Sequence, residues 1–128
     1  MKNKTVLVVE DEQPIATMYK YKLEIEDYVV ILAKNGQEGL EQANKHRPNL
    51  ILLDLRMPVM SGDEMLERLR SYEWASDIKV IVLTNISRDE APANLRLLDV
   101  DRYIVKAHHT PSQVLDIVEE VLNVKQKK

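Results

Sequence analysis

Apolar residues in this chain fall into short, evenly spaced runs. Thr5–Val9 (TVLVV), Tyr28–Ala33 (YVVILA), Leu50–Leu53 (LILL), Lys79–Leu83 (KVIVL) and Arg102–Val105 (RYIV) are rich in β-branched residues and show no clean alternation with polar ones. Such runs predict strands buried on both faces, the pattern of a parallel sheet. Helical spacing fills the gaps between them. Pro14 opens a first helix carrying Ile15, Met18 and Tyr19 at helical spacing, with one of Tyr19 and Tyr21 facing inward and the other partly exposed. Gln37–His46 forms a second helix, closed by Pro48, and Gly62 and Asp63 introduce a third over Glu64–Arg70. A fourth spans roughly Asp89–Leu98, where Pro92 fits only in the first turn. Thr110 and Pro111 are N-cap and first-turn residues for a fifth, whose apolar face runs through Val114, Leu115, Val118 and Leu122.

Five strand–helix repeats imply parallel strands joined by crossovers, with helices on both faces of the sheet. The length of 128 residues suits one compact domain over 1–128, with a core at about 5–124 and a basic tail at 125–128. Composition narrows the function. A net charge of −3 disfavours a general grip on nucleic acid. The absence of cysteine excludes disulfides, thiolate metal sites and a cysteine nucleophile. No run approaches membrane-span length and no signal peptide is visible, so a soluble, cytoplasmic protein is expected.

Ligands of open α/β sheets collect beyond the carboxyl ends of the strands. Here those ends read Glu10-Asp11-Glu12 after the first strand, Asp54 after the third, Thr84 at the fourth and Lys106 after the fifth. Singly, each is ordinary: acids cap helices, and a strand-end lysine usually snorkels to solvent. Together they bring three carboxylates, a hydroxyl and an ammonium to one edge. Clustered acids suit a hard cation, and a hydroxyl and an ammonium suit phosphoryl oxygens.

The segments VVEDE, LLDLRMPVMSG, VIVLT and YIVK resemble the receiver domain of two-component response regulators, from Val6 to about Leu122. The resemblance implies a doubly wound flavodoxin-like (βα)5 sandwich with sheet order 2-1-3-4-5. It implies that Asp54 is the phosphoacceptor, attacking a phosphohistidine of a sensor histidine kinase or phosphotransfer protein, or a small phosphodonor. It assigns Mg2+ to Glu10, Asp11, Asp54 and the backbone carbonyl of Arg56. Thr84 and Lys106 would contact phosphoryl oxygens, and Thr84 and Tyr103 would form the switch. Arg56 and Asn85 would modulate the phosphorylated state. The signalling face would be the fourth helix, fifth strand and fifth helix, which also pairs some homodimers in this family, toward a downstream partner that the sequence does not name.

Three positions depart from the family pattern. Lys106 is followed by Ala107 rather than proline, which leaves a trans bond with a rearranged loop or a strained cis bond. Asn85 replaces a small residue, and Asp99-Val100 stands where Gly-Ala is usual. His108-His109 reads as an ordinary loop, Met57 and Met60 as loop packing, and Trp74 as a cap on the core edge. Rival functions fit less well. An aspartyl-phosphate hydrolase would want an acid at position 56, and a flavodoxin-like cofactor binder would want a glycine-rich loop after the first strand. A degenerate receiver that only binds protein would be expected to lack one of the acids or the lysine. Enzymatic turnover of a metabolite is not expected.

Overall fold

A computed structural model describes residues 3–123; the expected basic tail at 125–128 lies outside them. Five strands, β1 (Thr5–Val9), β2 (Val29–Ala33), β3 (Leu50–Leu53), β4 (Lys79–Thr84) and β5 (Arg102–Val105), form one parallel sheet in the order β2-β1-β3-β4-β5. The α-helices are α1 (Gln13–Ile25), α2 (Gly36–His46), α3 (Gly62–Leu69) and α4 (Pro111–Leu122). The order reverses at β1, as the doubly wound fold requires.

The unbroken apolar runs are explained by two cores, one on each face. Leu7, Val9, Ile51, Leu53, Val80 and Val82 pack against α2 and α3 through Ala43, Met65, Leu66 and Leu69. Val6, Val8, Leu50, Leu52, Ile81, Leu83 and Ile104 pack against α1 and α4 through Tyr19, Leu23, Val114 and Val118. Successive strand residues alternate faces, and both faces are covered, so the strand interiors are apolar and polar residues fall at strand ends. Burying each such side chain stabilises the fold by roughly 1.5–3 kcal/mol relative to exposure. Among the described residues, no helix is long and apolar enough to cross a membrane.

Helix starts follow local chemistry. Thr110 and Gln113 form a reciprocal capping box on α4, and Asn35 and Ser61 cap α2 and α3 by accepting the Glu38 and Glu64 N–H groups. The expected fourth helix is a correction. In its place stand two short 3-10 segments, Arg88–Glu90 and Ala93–Leu97. Pro92 is the cause: it cannot donate a backbone hydrogen bond, and it drives Ala91 extended, at φ −67 and ψ 148. The segment ends where Asp99 adopts a left-handed φ of 54, the conformation that the usual glycine would favour. α3 supplies the missing support. Arg70 at its end donates to the carbonyls of Leu98 (3.0 Å), Asp99 (3.0 Å) and Ala75 (2.9 Å), and Glu67 accepts from Asn94 at 3.0 Å.

One core group lacks a partner. The Tyr28 hydroxyl is buried without a hydrogen bond among the described residues. Burial, reinforced by the charges of Glu119 and Glu26, pushes its pKa from 10.0 up to about 12. The folded chain therefore favours the neutral phenol. That stabilisation is complete below the unfolded pKa and is lost as pH rises through the interval between the two values. Tyr28→Phe is expected to raise stability at neutral pH by about 1 kcal/mol. It is also expected to lose less stability than the parent when moved to about pH 11. Urea unfolding of both proteins at the two pH values checks this.

Candidate functional site

Parallel pairing brings the strand ends level. Val9 pairs with Leu53, Leu53 with Val82 and Thr84 with Val105. Glu10, Asp54, Thr84 and Lys106 therefore emerge side by side at the carboxyl edge. One carboxylate oxygen from each of Glu10, Asp11 and Asp54 lies within 4.8 Å of the other two. Glu10 and Asp54 are buried, and Asp11 faces solvent. An all-oxygen, carboxylate-rich donor set of this kind fits a hard divalent cation such as Mg2+.

Lys106 supplies positive charge from the chain itself. Its Nζ donates to Glu10 Oε1 at 2.6 Å and to Asp54 Oδ2 at 3.4 Å. The second Glu10 oxygen accepts the Glu12 N–H at 3.1 Å, and Asp54 Oδ1 accepts the Leu55 N–H at 2.7 Å. Burial pushes the Glu10 carboxyl up from its ordinary value, and its bonds to Lys106 and Glu12 offset only part of that rise. Burial would lower Lys106, but the Glu10 hydrogen bond and the charges of Asp54 and Glu10 outweigh it and hold the ammonium above its ordinary value.

Thr84 and Tyr103 meet through one residue. Thr84 Oγ1 accepts the Ile86 N–H at 3.4 Å, and the Tyr103 hydroxyl donates to the Ile86 carbonyl at 2.7 Å. Thr84 is buried; Tyr103 is half-buried against the α2–α3 core. The Arg88 guanidinium lies over the Tyr103 ring, 5.8 Å from its centroid. Burial raises the Tyr103 pKa, and Arg88 partly offsets the rise.

Arg56 and Asn85 are exposed. Among the described residues, neither bonds to Glu10, Asp54 or Lys106. No peptide bond there is cis, so the Lys106–Ala107 bond is trans, and Lys106–His108 closes as a 3-10 turn. This local turn answers the missing proline. His108 is exposed and His109 half-buried, and among the described residues neither belongs to a metal-binding cluster. Met60 is buried and Met57 packs on the core, as expected of loop packing. Sequence reasoning missed the Ile86 link, the Arg88 contact and the Glu10–Lys106 ion pair. The first two run through backbone groups or an aromatic face and leave no residue-type signature. The third could have been anticipated from a long acid and a lysine on strand ends that flank the same edge.

The chain matches the sequence model of the family described as response regulator receiver domain over residues 6–119. An uncharacterized transcriptional regulatory protein, YkoG, of Bacillus subtilis is 41% identical over 79% of this chain and 43% of its own length. The alkaline phosphatase synthesis transcriptional regulatory protein PhoP of Bacillus subtilis is 35% identical over 94% of this chain and 49% of its own length. The chain thus spans about half the length of these two relatives. A response regulator receiver domain protein (CheY-like) from Methanospirillum hungatei superposes with a TM-score of 0.85 at 31% identity, covering 95% of each chain.

The loop from Leu55 to Ser61 returns to the site through a close approach. Gly62 donates to the Leu55 carbonyl at 2.9 Å, and a Cβ added to Gly62 would lie 2.0 Å from the Asp54 carbonyl oxygen. Within this loop Val59, 81% exposed, holds a left-handed φ of 69, which is costly for a β-branched residue. Gly62→Ala is expected to destabilise the fold by about 1–3 kcal/mol. It is also expected to shift the Asp54 and Leu55 amide resonances, while those of Val118 stay in place. Urea unfolding and amide NMR check the two effects.

Proposed function

The chain belongs to the response regulator receiver domain family, and from that membership we propose that it is a phosphoacceptor switch of a two-component pathway with Asp54 as the phosphorylated residue. Receiver domains of response regulators are phosphorylated by histidine kinases. The observation that carries the assignment to Asp54 is the shared edge: Asp54 lies within reach of two further carboxylates and touches the Lys106 ammonium.

In this mechanism an Asp54 oxygen attacks the phosphorus of a phosphohistidine or of a small phosphodonor. The P–O bond to Asp54 forms as the P–N or P–O bond to the donor breaks, and the donor leaves with the bonding pair. Hydrolysis reverses the modification: water attacks phosphorus, and inorganic phosphate and the Asp54 carboxylate are recovered. Glu10, Asp11, Asp54 and the Arg56 carbonyl would hold Mg2+. When bound, Mg2+ offsets charge on the attacking carboxylate and on the phosphoryl oxygens. Lys106 pairs with one phosphoryl oxygen and Thr84 donates to another. To reach it, Thr84 gives up the Ile86 N–H, and Ile86 is the residue whose carbonyl holds Tyr103. The switch thus works through one peptide unit.

The receiver unit occupies about residues 5–124 and acts in the cytoplasm. It takes phosphate from a sensor histidine kinase or phosphotransfer protein. The output surface is the 88–97 segment with β5 and α4, toward a downstream protein. A degenerate, phosphorylation-independent binder is the weaker reading, because every acid, the threonine and the lysine are present. Turnover is limited to the chain's own phosphorylation and hydrolysis.

Incubation with acetyl phosphate and Mg2+ is expected to add a single phosphate, seen by intact mass, and Asp54→Asn to abolish it. No adduct from acetyl phosphate or from a cognate kinase would move the assignment to the degenerate receiver. Arg56, two residues after Asp54 and exposed, is proposed to modulate the lifetime of the phosphorylated state. Arg56→Ala is expected to speed loss of the adduct severalfold; an unchanged rate removes Arg56 from this role.

A further inference from the structure

The shorter of the two Lys106 contacts is made to Glu10 and not to the proposed phosphoacceptor, at 2.6 Å against 3.4 Å. The pair is shielded from solvent: the Glu10 side chain is 4% exposed and that of Lys106 14%. Both Glu10 oxygens are engaged by the chain, one by Lys106 and one by the Glu12 N–H. Asp54 is similarly committed to Leu55 and Lys106. Among the described residues, only Asp11 of the three acids has a carboxylate that bonds to no other part of the protein. A cation entering this edge therefore meets an ammonium that already bridges two of its three carboxylates.

Resting on the reading of this edge as a divalent-cation and phosphoryl site, we propose that Glu10 is a positioning residue for Lys106, whose ammonium competes with the divalent cation for the Glu10 carboxylate. In the resting chain Glu10 keeps the lysine as an internal counter-ion. With the cation in place, Glu10 releases Lys106, and the ammonium is left to Asp54 and to the phosphoryl oxygen arriving there. Lysine delivery is thereby tied to cation occupancy. The length of glutamate matters: an aspartate would withdraw the carboxylate by about one C–C bond, ~1.5 Å, from a contact now at 2.6 Å.

The coupling is read by a double-mutant cycle on the full chain, with MgCl2 titrated by calorimetry at fixed ionic strength. The proteins are the parent, Lys106→Met, Glu10→Gln and the double variant. Lys79→Met, at the opposite end of the sheet, controls for net charge. Lys106→Met is expected to tighten Mg2+ binding by about tenfold, the size of a typical coupling between competing ligands. Lys79→Met is expected to change it by less than about twofold, since screening removes distant charge. In the Glu10→Gln background, the gain from Lys106→Met should fall to about twofold, because the lysine no longer competes for that carboxylate. An equal gain in both backgrounds, or weaker binding in Lys106→Met, overturns the competition. The unsubstituted chain gives a second readout that needs no variant to fold. The Lys106 ε-methylene NMR signal should move as Mg2+ saturates; a signal that stays in place also overturns it. Absence of Mg2+ binding in the parent would sink the divalent-cation reading and the competition with it. Mg2+ binding without coupling sinks the competition alone.

Discussion

Mutual repulsion among Glu10, Asp11 and Asp54 is the constraint around which the rest of the structure is arranged. One oxygen from each lies within 4.8 Å of the other two, two of the groups are buried, and each would be more stable alone in water. Parallel pairing leaves them no alternative, because every strand ends at the same edge. The opposing term is local and specific. Lys106 donates to two of the carboxylates, and the Glu12 and Leu55 N–H groups take the oxygens it leaves. Beneath them, β3 is almost wholly shielded on both faces, so Asp54 stands on a strand with no freedom to retreat. The sheet's burial confers the rigidity, and the lysine makes the charge tolerable.

That rigidity contrasts with the side of the sheet beyond β4. Where a regular helix would bond to itself, the 88–97 segment forms two 3-10 turns and relies on α3 for support, through Arg70 and Glu67. The peptide of Ile86 joins this region to the carboxylate edge. Thr84 accepts its N–H and Tyr103 donates to its carbonyl, two residues before the first 3-10 turn begins at Arg88. The carboxylate edge and the 88–97 segment are thus joined through the Ile86 peptide.

Much of this was legible in the amino-acid order. Strand runs without alternation announced a sheet covered on both faces, and the five runs match the observed strands to within a residue at either end. The acids, Thr84 and Lys106 could be placed at one edge because parallel topology follows from strand–helix alternation. Thr110-Pro111 marked the start of α4 through capping chemistry alone. The fourth helix failed for a reason that was visible but underweighted: Pro92 acts on the residue before it, so a proline meant for a first turn instead split the segment. Asp99 shows the converse case, an aspartate accepting a left-handed turn. What could not be read were contacts that depend on side-chain reach in three dimensions: Lys106 choosing Glu10 over Asp54, Arg70 gathering three carbonyls, and the unpartnered hydroxyl of Tyr28.

The only tryptophan sits at the other end of the sheet from all of this. Trp74 stacks on Tyr72 at 5.4 Å, carries the Arg47 guanidinium 4.1 Å from its ring centroid, and shares a groove with Lys4, Asn49 and Lys79, which lie where β1, β3 and β4 begin. Its emission therefore reports on the amino-terminal rim, at the far end of the sheet from the carboxylate edge. An optical record of events at Asp54 has to come from a probe placed on that side, and Tyr103 is the chromophore already standing there.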